Sequence, residues 1–330
     1  MGCRMRVLAT LAVCLLFATA PVGLETAAQI TAYPEKLVRL MVPFPAGGAT
    51  DIVARLIAER LSGLWSQPIV IENIGGAAGA IATAQAAKAA PDGYSLLVAT
   101  GTTMTLLPHL RRSLSFDPLR DFEAISLICT FPNILVVRPD LPVNDLTDLL
   151  ALVRASPGKY SYASSGYGGS PHIAAEWFKL ISKTDILHIP FTGSAPALPA
   201  LLGGHVDMMF DTLPTVWPLV QQGKLHALGV TMSTRMSFLP HLPAIAETFP
   251  GYDVTSWLGI VVPAATPRAI TAKLSVSILH VMRDPEVLRR LNDIGTVGTS
   301  STPDEFSAFI RQDFEKWRRV IAQTGITLNN

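Results

Sequence analysis

Two glycine-rich turns hold the residues of this chain whose types and spacing can do chemistry. The first reads Phe44-Pro45-Ala46-Gly47-Gly48-Ala49-Thr50-Asp51, and the second Ser164-Ser165-Gly166-Tyr167-Gly168-Gly169-Ser170-Pro171-His172. Each follows an apolar, strand-like run and leads into an amphipathic helix pattern. A helix entered through glycine leaves several backbone N–H groups unpaired, and its dipole adds partial positive charge at the same end. The chemistry on offer is capture of an anion. Two such turns, about 120 residues apart in sequence, can grip one small anion from opposite sides.

In this reading the N–H groups of Ala46, Gly47, Gly48 and Ala49, and of Gly166, Gly168, Gly169 and Ser170, point at a carboxylate. Hydroxyls of Thr50, Thr102, Thr103, Ser164, Ser165 and Ser170 add donors. Neutral donors hold a carboxylate without the desolvation cost of a buried salt bridge. Asp51 caps its helix or touches ligand. His172 caps its helix or donates an imidazole N–H. Asp211 ends a strand pattern, where it steadies a loop, receives a ligand hydroxyl or amine, or holds water. The bland alternative for both turns is that glycine only permits a tight strand-to-helix connection.

Other chemistries fit less well. Gly48 is followed by Ala49-Thr50 rather than the Lys-Ser/Thr of a phosphate loop, and the second turn misses the G-x-G-x-x-G spacing. Ser, His and Asp near one cleft would allow a hydrolase, but their order matches no G-x-S-x-G elbow. There is no H-E-x-x-H, and the histidines are scattered. The expectation is a binding protein without metal, cofactor or catalytic residues.

The elements that position these turns alternate. Strand patterns at 37–42, 68–72 and 94–99 enclose helix patterns at 51–64 and 79–89, a rhythm that implies parallel sheet covered by helices. A second run has strands at 134–137, 160–163, 187–191, 206–210 and 225–230, with helices at 145–155, 172–181 and 194–202. A strand at 256–262 and helices from 267, 285 and 303 complete the chain. The predicted fold is α/β, with two parallel-sheet lobes joined by a two-strand hinge near Phe131 and Val254. Residues 29–131 with 254–330 form lobe 1 and residues 132–253 form lobe 2, the tail packing back on lobe 1.

The chain has 330 residues, 49% hydrophobic and 15% charged, enough for two ordinary domains. Residues 1–28 read as a secretory signal peptide. Arg4 and Arg6 precede an apolar stretch over 7–18, too short to span a bilayer. Cleavage fits after Ala20 or, preferably, after Ala28. Removing residues 1–28 takes Lys+Arg from 26 to 24 and Asp+Glu from 25 to 24. The neutral mature chain argues against nucleic-acid binding. Of three cysteines, only Cys129 then remains, so no internal disulfide forms; it reads as a small buried hydrophobe. The expected location is a bacterial periplasm.

The segments Met41-Val42-Pro43-Phe44-Pro45-Ala46-Gly47-Gly48-Ala49-Thr50-Asp51, Val70-Ile71-Glu72-Asn73, Pro91-Asp92-Gly93-Tyr94, Gly169-Ser170-Pro171-His172, His188-Ile189-Pro190-Phe191-Thr192-Gly193 and Leu201-Leu202-Gly203-Gly204 together resemble the Bug family. These are extracytoplasmic solute receptors of tripartite tricarboxylate transporters. The resemblance covers nearly the whole mature chain. It implies a type II periplasmic-binding-protein fold closing on a small carboxylate or related polar solute. Phe44 to Asp51 and Ser164 to His172 become wall residues, with Thr102, Thr103 and Asp211 beside them. The implied partners are membrane permease subunits or a membrane sensor, and the protein is expected to be a monomer. Gly75-Gly76 stands where a proline-glycine pair is common in the family, and His205 where glutamine is. The ligand stays open between amino acids, di- and tricarboxylates, aromatic acids and uncharged vitamins.

Overall fold

The computed structural model describes residues 33–326; the predicted signal peptide and its cleavage site lie outside the described residues. Strand β1 (Val38–Val42) pairs in parallel with β2 (Ile69–Asn73) and β3 (Ser95–Thr100). Strand β5 (Ser161–Ser164) pairs in parallel with β6 (Leu187–Pro190) and β7 (Met208–Thr212). These are the parallel cores of two lobes. Between them runs β4 (Phe122–Val137), a strand of 16 residues. Its first part, as far as Pro132, pairs antiparallel with β9 (Thr255–Pro263). From Asn133 onward it pairs antiparallel with β7 and with β8 (His226–Val230). The path is β2-β1-β3-β9-β4-β7-β5-β6, with β10 (Val297–Gly298) also on β4. The lobes are therefore mixed sheets, where the sequence pointed to parallel ones. The antiparallel members are those that pair with the crossing strand β4, namely β9, β7, β8 and β10.

Alternation along the strands sends side chains to opposite faces. On β4, Ile134 and Val136 join one cluster with Ala163, Leu201, Met209 and Val230, while Leu135 and Val137 join another with Tyr162, Ile173, Phe178 and Phe210. The first lobe has its own cluster around Met41, Leu97, Trp257 and Val261.

The helices are α1 (Ala49–Trp65), α2 (Ala80–Ala87), α3 (Leu107–Leu110), α4 (Leu146–Ala155), α5 (Ser170–Ser182), α6 (Ser194–Leu202), α7 (Leu213–Gln221), α8 (Arg268–Met282), α9 (Pro285–Asp293) and α10 (Pro303–Thr324). The last is shared between lobes. Its Phe306 and Ile310 pack in the first-lobe cluster, but Trp317 packs with Tyr162, Phe178 and Tyr252 of the second. One face of a 22-residue helix is long enough to reach both cores. A Cβ on Gly259 would stand 2.1 Å from the Phe306 ring, so glycine there lets α10 lie close on β9. Among the described residues no helix is long and apolar enough to cross a membrane.

Candidate functional site

The helices differ in how they begin. Helices α4, α9 and α10 carry side-chain caps: Asp145, Asp284 and Thr302 accept from Asp148, Glu286 and Glu305 N–H; α2, α3 and α8 carry none. Helices α1, α5 and α6 start instead at Gly48, Gly169 and Gly193 with no side-chain cap, and α7 starts at Thr212, whose hydroxyl does not cap it. Gly48, Gly169, Gly193 and Thr212 all line one cavity. Four helix N-termini, each with outward N–H groups and the positive end of a dipole, thus converge on one place.

The cavity holds about 60 Å³, against roughly 300–1,000 Å³ for ligand pockets in general. The lobes stand closed on it, and they touch through the helix starts themselves. Ala49 N–H of α1 donates across the cleft to Thr215 Oγ1 of α7 at 3.1 Å. Ser170 N–H of α5 donates back to Thr102 Oγ1 at 3.1 Å. Pro45 lies against Gly193, where a Cβ would approach its ring to 3.0 Å.

Of the residues predicted from sequence, Phe44, Gly48, Ala49, Thr50, Thr102, Ser165, Gly169 and Ser170 line the cavity. The others do not line it. Gly47, at φ +86°, donates its N–H to Asp51 Oδ2 at 2.9 Å. Asp51 is buried and ion-paired with Arg55 at 2.9 Å. Burial works to raise its carboxyl, but Arg55 and the Gly47 N–H outweigh that and hold it below the usual range. Thr103 bonds to Thr100 within its own turn. Ala46, Gly166 and Gly168 shape the turns without lining the cavity.

His172 sits under the second turn rather than in the cavity. Its Nδ1 accepts from Gly168 N–H at 3.2 Å, while Ser164 Oγ meets His188 Nε2 at 2.6 Å. The two imidazoles stack at 4.4 Å, with Tyr162 stacked on His188 at 4.6 Å. Burial lowers both, His172 to about 4 and His188 to about 3. The neutral pair thus supports the loop from behind. Ser170 Oγ bonds Asn133 Nδ2 and Ser256 Oγ, each at 2.7 Å; it has no bond to His172 of the kind a nucleophile makes to its base.

Asn133 ties the site to the lobe crossing. It is fully buried where β4 changes sheets. Its Nδ2 also reaches Val254 O at 3.2 Å, and its N–H reaches Thr231 Oγ1 at 2.9 Å. Sequence reading missed this residue, the α6 and α7 starts, and an inner wall of Leu106, Phe131, Trp257, Leu258 and Trp317. Gly193-Ser194 follows a predicted strand and precedes a predicted helix, so the logic that found the first two turns also reaches it. The wall has no local signal, since it comes from four separate parts of the chain.

Asp211 is fully buried beside the cavity. Oδ1 accepts from Ser194 Oγ and from Thr212 N–H, each at 2.7 Å, and Oδ2 has no partner. Burial pushes its carboxyl up to about 7 against those bonds.

Residues 53–326 match the sequence profile of the family described as the tripartite tricarboxylate transporter family receptor. Protein BugT of Bordetella pertussis is 32% identical over 94% of this chain and 95% of its own. A solved structure described as a periplasmic transporter is 38% identical over 90% of this chain and all of its own, with TM-score 0.87. R. palustris Rpa4515, solved with adipate, is 34% identical over 89% of this chain and 99% of its own, with TM-score 0.87. MatC of Rhodopseudomonas palustris, solved with bound malate, is 32% identical over 88% of this chain and all of its own, with TM-score 0.83.

Proposed function

This chain belongs to the tripartite tricarboxylate transporter receptor family, the Bug family of periplasmic solute receptors, and from that premise we propose that it captures a small carboxylate between its lobes and delivers it to a membrane transporter of the tripartite type. The observation that carries this reading is the meeting of uncapped helix starts from both lobes on one cavity. In the capture cycle the lobes swing about the crossings at Pro132–Asn133 and Val254–Thr255, with residues 29–131 and 254–330 on one side and 132–253 on the other. The carboxylate takes N–H groups of α1 and α5 together, which only the closed form brings within reach, so binding shifts the population toward closure. The permease reads the closed surface, and no bond is made or broken in the ligand. Residues 1–28 direct the chain to the periplasm.

A thermal-shift screen with small carboxylates tests this. A ligand at about 100 times its Kd adds about 2.7 kcal/mol to stability, and a clear rise in Tm is expected for at least one carboxylate. Flat melting curves across carboxylates, with a shift for neutral or cationic solutes only, would remove the anion from the reading. Support also comes from the adipate and malate held by two of the related receptors.

A further inference from the structure

Helix α10 reaches the cavity as well as both cores. Its Trp317 lines the cavity and packs edge-on against Trp177, with ring centroids 6.3 Å apart. One turn earlier on the same helix stands Asp313. Its Oδ2 accepts from Trp257 Nε1 at 2.8 Å and from Thr105 Oγ1 at 2.6 Å. Both donors are distant in sequence. Trp257 belongs to β9, and Thr105 to a π-helical turn over Thr102–Leu106. Such turns are rare and gather at functional sites.

Both donors belong to elements that wall the site. Trp257 lines the cavity, and so do Gly101, Thr102 and Leu106 around Thr105, whereas Thr105 and Asp313 do not. The two walls touch: a Cβ on Gly101 would stand 3.0 Å from Trp257 Nε1. Thr105 Oγ1 also lies 2.8 Å from Gly101 O. Its one proton goes to the charged acceptor, because such bonds are about twice as strong. A single carboxylate oxygen thus fastens the β9 wall to the turn. Thr102 in that turn takes the Ser170 N–H of the facing lobe, so the seat of the turn also sets how the lobes meet. Apolar contacts of Phe306, Ile310 and Trp317 already hold α10 in place. A carboxylate here adds a desolvation cost: burial raises it, against its two donors and Lys316.

We propose that Asp313 is a positioning residue for ligand capture: it holds Trp257 and the Thr102–Leu106 turn together as one wall, against which the ligand body rests. The proposal rests on the receptor reading above and extends the site to a residue of α10 that the ligand does not touch. Without the shared acceptor, the buried indole N–H of Trp257 has lost its partner, and the ring and the turn are free to part. The wall then has to be ordered again each time a ligand binds, at a cost in affinity.

Calorimetric titration of the purified protein with succinate, malate, adipate and benzoate gives the tightest of the four, which serves as the probe. Asp313→Ala removes the shared acceptor and is expected to weaken the probe at least about tenfold, which is about 1.4 kcal/mol. Asp313→Asn keeps a carbonyl acceptor and brings the affinity back to within about threefold of the natural protein. Thr105→Val changes no cavity-lining side chain, yet weakens the probe in the same direction. Asp313→Ala then costs less in the Thr105→Val background than alone, because the two residues share one bond. Urea midpoints are read beside each affinity. A lower midpoint with unchanged affinity in Asp313→Ala would make Asp313 a residue of the fold only, overturning the proposal and leaving the receptor reading standing. An Asn variant as weak as the Ala variant would also overturn it, since the two bonds would not carry the effect. Should Asp313→Ala fail to fold, Thr105→Val decides, and unchanged affinity there sinks the proposal. If none of the four acids binds the natural protein, the proposal falls together with carboxylate capture.

Discussion

Asp211 is a carboxyl held where an exposed one would not stay neutral. Burial lifts it from 3.8 to about 7, although Ser194 and Thr212 donate to it. The folded protein therefore holds this proton more tightly than the unfolded chain does. The stability linked to that proton is fully present below about pH 4 and is lost as pH rises through about 7. A carboxyl whose pKa is one higher in the fold than in the unfolded chain carries about 1.4 kcal/mol, so the loss here amounts to a few kcal/mol. Replacing Asp211 with Asn removes it. Urea melts of the two proteins at pH 5 and pH 8 should therefore differ, with the Asn variant gaining on the natural protein at the higher pH. A gap that stays constant, or moves the other way, would mean that Asp211 is ionised in the fold throughout. The stacked His172 and His188 run opposite in sign: burial lowers both, so their linked stability is present above about 6.5 and is lost as pH falls toward 4. They are common to both proteins and cancel in the comparison. The sequence placed both Asp211 and His172 near the cleft but not their roles. Each role depends on a contact with a distant segment, His172 on His188 and Asp211 on Ser194.

Elements were most legible where a pattern was local. The helix expected at 194–202 runs over Ser194–Leu202, and the strands around both glycine turns fall within a residue or two of their expected bounds. Some elements escaped, the two-residue β10 among them. Helix α7 contains Pro214 and Pro218, which read as loop residues, yet Pro214 sits in the first turn, where its missing N–H costs nothing. Strand β4 was seen only at its end, because Pro132 and Asn133 look like strand breakers. They stand where the strand leaves β9 for β7 and β8. The contact of α10 with β9 is an element-scale claim that can be tested. Gly259→Ala would drive a methyl into the Phe306 ring. Overpacking of this sort costs about 1–3 kcal/mol, read as a lower urea midpoint with an unchanged slope. A variant as stable as the natural protein would mean that Phe306 moves aside freely and that α10 is loosely seated.

On the scale of the whole molecule, capture depends on two lobes acting on one anion. The lobes are linked by β4 and β9, by the α10 helix that enters both cores, and by the hydrogen bonds of Asn133. Across the cleft they meet through two reciprocal bonds, α1 to Thr215 and α5 to Thr102. Composition and alternation made the lobes readable, since each needs only its own buried stripes. The closed arrangement was not readable, because nothing in either segment says which hydroxyl the other will present. The most direct measurement is a crystal structure of the protein with its tightest carboxylate. Joint capture predicts carboxylate oxygens about 2.7–3.2 Å from N–H groups in the first turns of both α1 and α5. A carboxylate bound to one lobe alone, or seated away from both helix starts while Ala49 and Ser170 keep their threonine partners, would contradict it.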